Sequence, residues 1–173
     1  AAQIIRDAKN HGVKIKEVCI NRSEWDHSLE NKGESCLNLR LGFRQIKGLS
    51  KNDVDRIIEE RGNGYNDPQD LWHRIRLSPS IIKLLVKANS FHSLDKNRRL
   101  LLWDAQATKK TNSLALFEGY SEKEYLPEKS VNLPTMTSGE ELILDYQSLR
   151  LSLSTHPVKL LRPFLKKSFI EKY

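Results

Sequence analysis

Cysteine is scarce in this chain. Only Cys19 and Cys36 occur in 173 residues, they form no CxxC pair, and the five histidines are scattered away from them. That excludes a zinc-ribbon scaffold and fits a reduced, cytoplasmic protein. Long apolar runs are missing too. No stretch approaches the roughly 18 consecutive apolar residues of a membrane span, and the opening AAQIIRDAKN mixes acid and base where a signal core would be apolar. A starting methionine is lacking, and Ile4, Ile5 and Ala8 already follow a helical period, so the sequence reads as a piece of a longer protein. Carboxylates paired on apolar strands, the usual holders of two catalytic metal ions, are absent as well. Asp26 and Asp53 have no such context, and His11, His27, His73 and His92 have no partner at ligand or triad spacing. Catalysis is not expected of this segment, and no metal or other cofactor is expected in it.

What the chain has is base, unevenly placed. Lysine and arginine number 29 against 22 acids, a net charge of +7 with a pI near 9.4. Leu71 to Lys110 holds nine of those bases (Arg74, Arg76, Lys83, Lys87, Lys96, Arg98, Arg99, Lys109 and Lys110) against only Asp95 and Asp104. Thr111 to Leu149 then holds seven acids and two lysines. A segregated basic block is the footprint of phosphate contact, although a solvated basic face has the same composition.

The most informative stretch is Leu41 to Arg61, LGFRQIKGLSKNDVDRIIEER. A short helical pattern runs into Ile46-Lys47-Gly48-Leu49 and restarts at once behind a capping residue, Ser50, which is the pattern of a helix-hairpin-helix. Gly48 has no Cβ, so the turn can take φ > 0 and approach a ligand closely. Ile46 and Leu49 would pin the turn to the core. The helix from Lys51 offers free N–H groups and the positive end of its dipole, and Arg44, Lys47 and Lys51 add cationic side chains. Together Arg44, Lys47, Gly48, Leu49, Ser50 and Lys51 make a sequence-blind clamp for a nucleic-acid backbone. A second unit of the same length follows, in which Ser78 caps a helix with Pro79 at its first position. Ser80 and Lys83 lie on its first turns, and its turn has no glycine. Two such units in tandem can straddle one duplex.

Hydrophobic content of 38% and a mean hydropathy of −0.58 support a core of modest size. Residues 3–11 read as a helix ended by His11-Gly12. VKIKEVCI alternates as a strand should, and NRSEWDHSLE and CLNLRLG flank a turn-rich 31–34, a β-hairpin. Helices are expected at about 41–46, 51–61, 69–76, 80–91, 96–107, where Arg98 and Arg99 would face the basic side, and 138–148. The expected fold is mainly α with a small β element near the N-terminus and a tandem helix-hairpin-helix. Its parts are 1–40 with the β-hairpin, 41–110 as the paired hairpins, an acidic linker over 111–137, and 138–173 as a helical segment leading onward.

Several longer strings carry a resemblance in their order and spacing: VCINRSEWDHSLE, LRLGFRQIKGL, DLWHRI, KANSFHSLDKNRR and GEELILDYQSLRLSLSTHPVKLLRP. They resemble the region after the catalytic palm in bacterial DNA polymerase III alpha subunits, the C-family. Gln45, Ser50, Arg22-Ser23-Glu24-Trp25-Asp26 and Leu151-Ser152-Leu153 before His156-Pro157 resemble its error-prone, damage-inducible branch. The resemblance implies a parent DNA-directed DNA polymerase, a nucleotidyltransferase of translesion synthesis and repair, whose divalent metal ions belong to a palm domain that this segment does not include. It implies that residues up to about 30 end the fingers, and that 41–106 grip double-stranded DNA behind the active site. It also aligns Ser113, Leu114, Ala115, Leu116 and Phe117 with a short sliding-clamp motif. Leu116-Phe117 matches the apolar end of that motif, while Ser113 stands where glutamine is usual. Two outcomes stay open, a clamp ligand or an apolar plug docked on the same module, and the plug is expected. The alternative overall reading is a protein-interaction platform that docks to a clamp or to accessory damage-response proteins.

Overall fold

Residues 2–31, 37–94, 96–107 and 133–169 are described in the computed structural model. Helix α1 (Ala2–Asn10) ends against Gly12, whose φ of +82° turns the chain into β1 (Lys14–Lys16). Strands β2 (Ser28–Asn31) and β3 (Leu37–Arg40) complete a sheet ordered β1-β3-β2. The β2–β3 pairing is antiparallel with Leu29 opposite Leu39, as the expected hairpin requires, and β1 adds to β3 in parallel. Position 31 apart, the turn-rich 31–34 lies outside the described residues. Glu30 sits between two cations of this sheet. Hydrogen bonds from Arg40 and Lys16 hold its carboxyl down at about 2.

The strand expected over VKIKEVCI is shorter than its alternation suggests. Only Lys14–Lys16 pair, and Val18, Cys19 and Ile20 leave the sheet to become fully buried. Their backbone is satisfied elsewhere: the Ile20 N–H donates to Ser90 O at 2.8 Å, and Glu17 O accepts from the Arg40 guanidinium. Alternation there recorded burial, and the hydrogen bonds went to the turn at Ser90 and to the Arg40 side chain. The helix expected at 41–46 is corrected as well. Leu41 still donates to Lys16 O at the sheet, so only one turn of 3-10 helix, Phe43–Gln45, fits before the Gly48 turn.

The helices that follow agree with the sequence to within a few residues: α2 (Lys51–Glu59), α3 (Pro68–Ile75), α4 (Pro79–Lys87), α5 (Arg98–Ala107) and α6 (Ser138–Leu149). Each of α2, α3, α4 and α6 starts on a side-chain cap, from Ser50, Asp67, Ser78 and Thr137 in turn, and Thr137 with Glu140 forms a full capping box. Helix α7 (Pro157–Phe169) lies in the segment expected to be helical over 138–173, in which the residues set no bounds beyond 148. Its internal Pro163 breaks the period by which helices are recognised. One apolar core runs through all of this, joining Val18 and Ile20 to Phe43, Ile57, Leu71, Leu85 and Phe91 and taking in Leu149 and Leu151. Asn21 fastens the N-terminal part to the helices, its amide exchanging two hydrogen bonds with the Tyr65 backbone at 2.7 and 3.0 Å. The Tyr65 hydroxyl donates to Ile57 O, and burial pushes it up to about 12.

Candidate nucleic-acid interface

At the first turn the local sequence dictates the shape. Gly48 takes φ +87°, a left-handed conformation that side chains rarely adopt. Ile46 and Leu49 are buried on either side, so the turn is nailed to the core while Lys47, Gly48, Ser50 and Lys51 stay exposed. Ser50 caps α2, its hydroxyl oxygen accepting from Asp53 N at 3.2 Å. The Lys47 N–H is taken by Ser148 O at 2.9 Å, and the Leu49 N–H leans on Ile46 O. Among the described residues, the N–H groups of Gly48, Ser50, Lys51 and Asn52 have no partner. Four unpartnered donors at a helix start, beside two unpaired lysines, are what an anion such as a phosphate needs.

The second turn has the same order of parts. Arg76, Leu77 and Ser78 stand where Gly48, Leu49 and Ser50 stand, each 28 residues further on. Arg76 takes φ +55°, Leu77 is buried, and Ser78 caps α4 through Ile81 N. The guanidinium of Arg76 lies over the Trp72 ring at 4.3 Å, a cation–π contact that offsets the strain of a left-handed non-glycine residue. Leu77, Ser78 and Ser80 have unpartnered N–H groups among the described residues. Pro79, between them, has none to offer. Ser80 is exposed and Lys83 half-buried, and neither makes a side-chain ion pair or hydrogen bond there. Arg76 is a surface cation at a turn that has no glycine to mark it. Its signal was the repeated Leu-Ser before a helix.

Arg44 is exposed and pairs with Asp26, an ion pair between two solvated side chains that is worth little and exchanges readily for another anion. The basic block is much less available than its sequence suggests. Arg74 pairs with Asp70, Lys96 with Asp67, Arg98 with Asp145 at 2.9 Å and Arg99 with Glu140 at 2.7 Å. Arg98 is buried and also donates to Lys87 O. The expectation that Arg98 and Arg99 face the basic side is therefore corrected. Asp145 and Glu140 come from the acid-rich stretch, so α6 folds back and pairs two of the block's arginines. Ser113, Leu114, Leu116 and Phe117 lie outside the described residues. Among the described residues, no group of three or more His, Cys, Asp or Glu is placed to hold a metal ion, and no helix is long and apolar enough to cross a membrane.

Two turns of one shape, each with a buried leucine and a capping serine, define a paired hairpin. The helix-hairpin-helix motif family matches residues 12–101, just over half of the chain, and the chain belongs to that family. The whole sequence narrows this further. It is similar to the error-prone DNA polymerase of Ruegeria pomeroyi, with 44% identity over 162 residues that cover 94% of this chain and 15% of that protein. The error-prone DNA polymerase of Brucella abortus is 42% identical over 161 residues, covering 93% of this chain and 15% of its own length. That of Sinorhizobium medicae is 39% identical over 182 residues, covering 93% and 16%. The resemblance carried by the ordered motifs is thus borne out, and the chain spans about 15% of the length of the curated relatives it matches.

Proposed function

We propose that this chain holds double-stranded DNA by its sugar-phosphate backbone, without reading sequence, as a non-catalytic segment of an error-prone DNA polymerase. The observation that carries this reading is the first turn, with its four unpartnered N–H groups beside the free side chains of Lys47 and Lys51. Gly48, Leu49 and Ser50 shape the cradle and Arg44 extends it. Ser78, Ser80 and Lys83 form a second, weaker grip on the same duplex. Nucleotide addition, the divalent ions it uses and the repair role of the whole polymerase belong to parts outside this chain, and a cytoplasmic setting goes with them. Backbone binding of this kind releases counterions, so affinity must weaken steeply as salt rises. A fluorescent blunt duplex titrated at two salt concentrations tests it. Affinity is expected to fall with salt and to be indifferent to sequence. Salt-insensitive binding, or unchanged affinity in a folded Lys47→Glu, Lys51→Glu double variant, would overturn it in favour of a protein-docking platform.

A further inference from the structure

A groove of about 780 Å³ runs between α1, the loop 151–156 and the start of α7. Among the described residues, no aspartate or glutamate lines it. Its rim carries Arg6, Lys9, Lys159 and Arg162, and its floor includes Leu153 and Tyr146, the last 40% exposed. Lys9 gives one hydrogen bond to Leu153 O. Among the described residues, Arg6, Lys159 and Arg162 make no ion pair.

Cations above an apolar floor with an exposed aromatic ring select a polyanion that also carries flat apolar faces. A duplex offers phosphates but keeps its base faces stacked inside. A single strand offers both, phosphates to the rim and bases to the floor. The position of the groove adds a second reason. The last turn of α6 touches the first hairpin on one side, where Ser148 O accepts from Lys47 N–H at 2.9 Å and Leu149 O from the Gln45 amide at 2.7 Å. Tyr146 and Leu151, on either side of these two residues in the chain, line the groove.

We propose that this groove binds single-stranded nucleic acid, as the unpaired continuation of a duplex held at the hairpins. The continuity with a duplex rests on the function proposed above; the single-strand site rests on the groove alone.

The probes are a fluorescent oligothymidine, a blunt duplex and the same duplex with a single-stranded overhang, each titrated against the 173-residue chain. Oligothymidine is expected to bind, and the overhang to tighten duplex binding. Neutralising the rim with Lys159→Gln and Arg162→Gln should make the log–log salt slope for oligothymidine shallower by roughly 1.4, about 0.7 for each phosphate that no longer meets a cation. Tyr146→Ala should weaken oligothymidine at least about fivefold, the low end for removal of one base stack, and Tyr146→Phe should retain it. All three variants should leave the blunt duplex unaffected. Equal oligothymidine binding by native chain and groove variants, or an equal weakening on the blunt duplex, would overturn the proposal. Lys47→Glu with Lys51→Glu separates the two sites. If the blunt duplex never binds while oligothymidine binds and responds to the groove variants, the hairpin reading falls and the single-strand site stands.

Discussion

The two turns, Gly48-Leu49-Ser50 and Arg76-Leu77-Ser78, reach one backbone shape by different means. In the first, glycine enters the left-handed region freely, and Lys47 and Lys51 stand unpaired around four open N–H groups. In the second, an arginine is held left-handed by Trp72, a proline removes one donor, and Lys83 is half-buried. The buried leucine and the capping serine are common to both, so they are what the shape requires. The glycine and the free lysines are the surplus of the first turn, and that surplus is what the proposed backbone binding rests on.

The largest expected difference between the turns is in DNA binding. Lys47→Glu with Lys51→Glu should weaken a blunt duplex on the order of a hundredfold at low salt, with a log–log salt slope shallower by roughly 1.8. Lys83→Glu, at the second turn, should cost only about threefold. A titration across salt checks both, and equal weakening would make the turns functional equals.

Next in size is the backbone. Gly48→Ala should destabilise by about 1–2 kcal/mol, because φ of +87° is strained for any side chain. The cause is strain and not a clash, since an added Cβ would meet Leu84 Cδ1 at an ordinary 3.5 Å. Arg76→Gly relieves the same strain while giving up the cation–π stacking on Trp72 and loosening the unfolded chain. It should change stability by under about 1 kcal/mol. Denaturant midpoints at constant slope measure both.

The caps should behave alike. Ser50→Ala and Ser78→Ala are each expected to cost about 1 kcal/mol, the usual value for removal of an N-cap. A neutral Ser78→Ala would mean that α4 is held by packing alone.

The smallest effect is a pH dependence at the first unit. His27 Nδ1 accepts the Gly42 N–H at 2.9 Å, just ahead of the first turn. Burial, helped by the charge of Arg44, holds His27 below its ordinary value of 6.5. A histidine lowered on folding stabilises the fold above the unfolded value, and that contribution is lost as pH falls below about 6.5. Stability should therefore slope downward on mild acidification, and His27→Gln should flatten the slope. An unchanged slope would show that the buried His27 is not its source.

Much of this was legible in the residues. The Ser50 and Ser78 caps, the left-handed Gly48, the buried Ile46 and Leu49 and the β2–β3 hairpin all follow from local chemistry, because each depends on neighbours a few positions away. The parallel pairing of β1, the 3-10 turn at Phe43–Gln45 and the bounds of α7 within the helical 138–173 were not legible. The first two are decided by which distant backbone takes the hydrogen bonds, and the third hides behind an internal proline.

The charge pattern divides in the same way. The sequence by itself determined that base is concentrated in 71–110 and acid in 111–149, and that a turn at Gly48 is flanked by Lys47 and Lys51. Only the tertiary structure decided which cations are free. It brought Glu140 and Asp145 onto Arg99 and Arg98, set Arg76 on Trp72, and left Lys47, Lys51, Lys159 and Arg162 unpaired among the described residues. The physical reason is range. A turn is set by the dihedral preferences of three or four consecutive residues, whereas a charge is neutralised by whatever carboxylate the fold carries to it, here from more than 40 residues away.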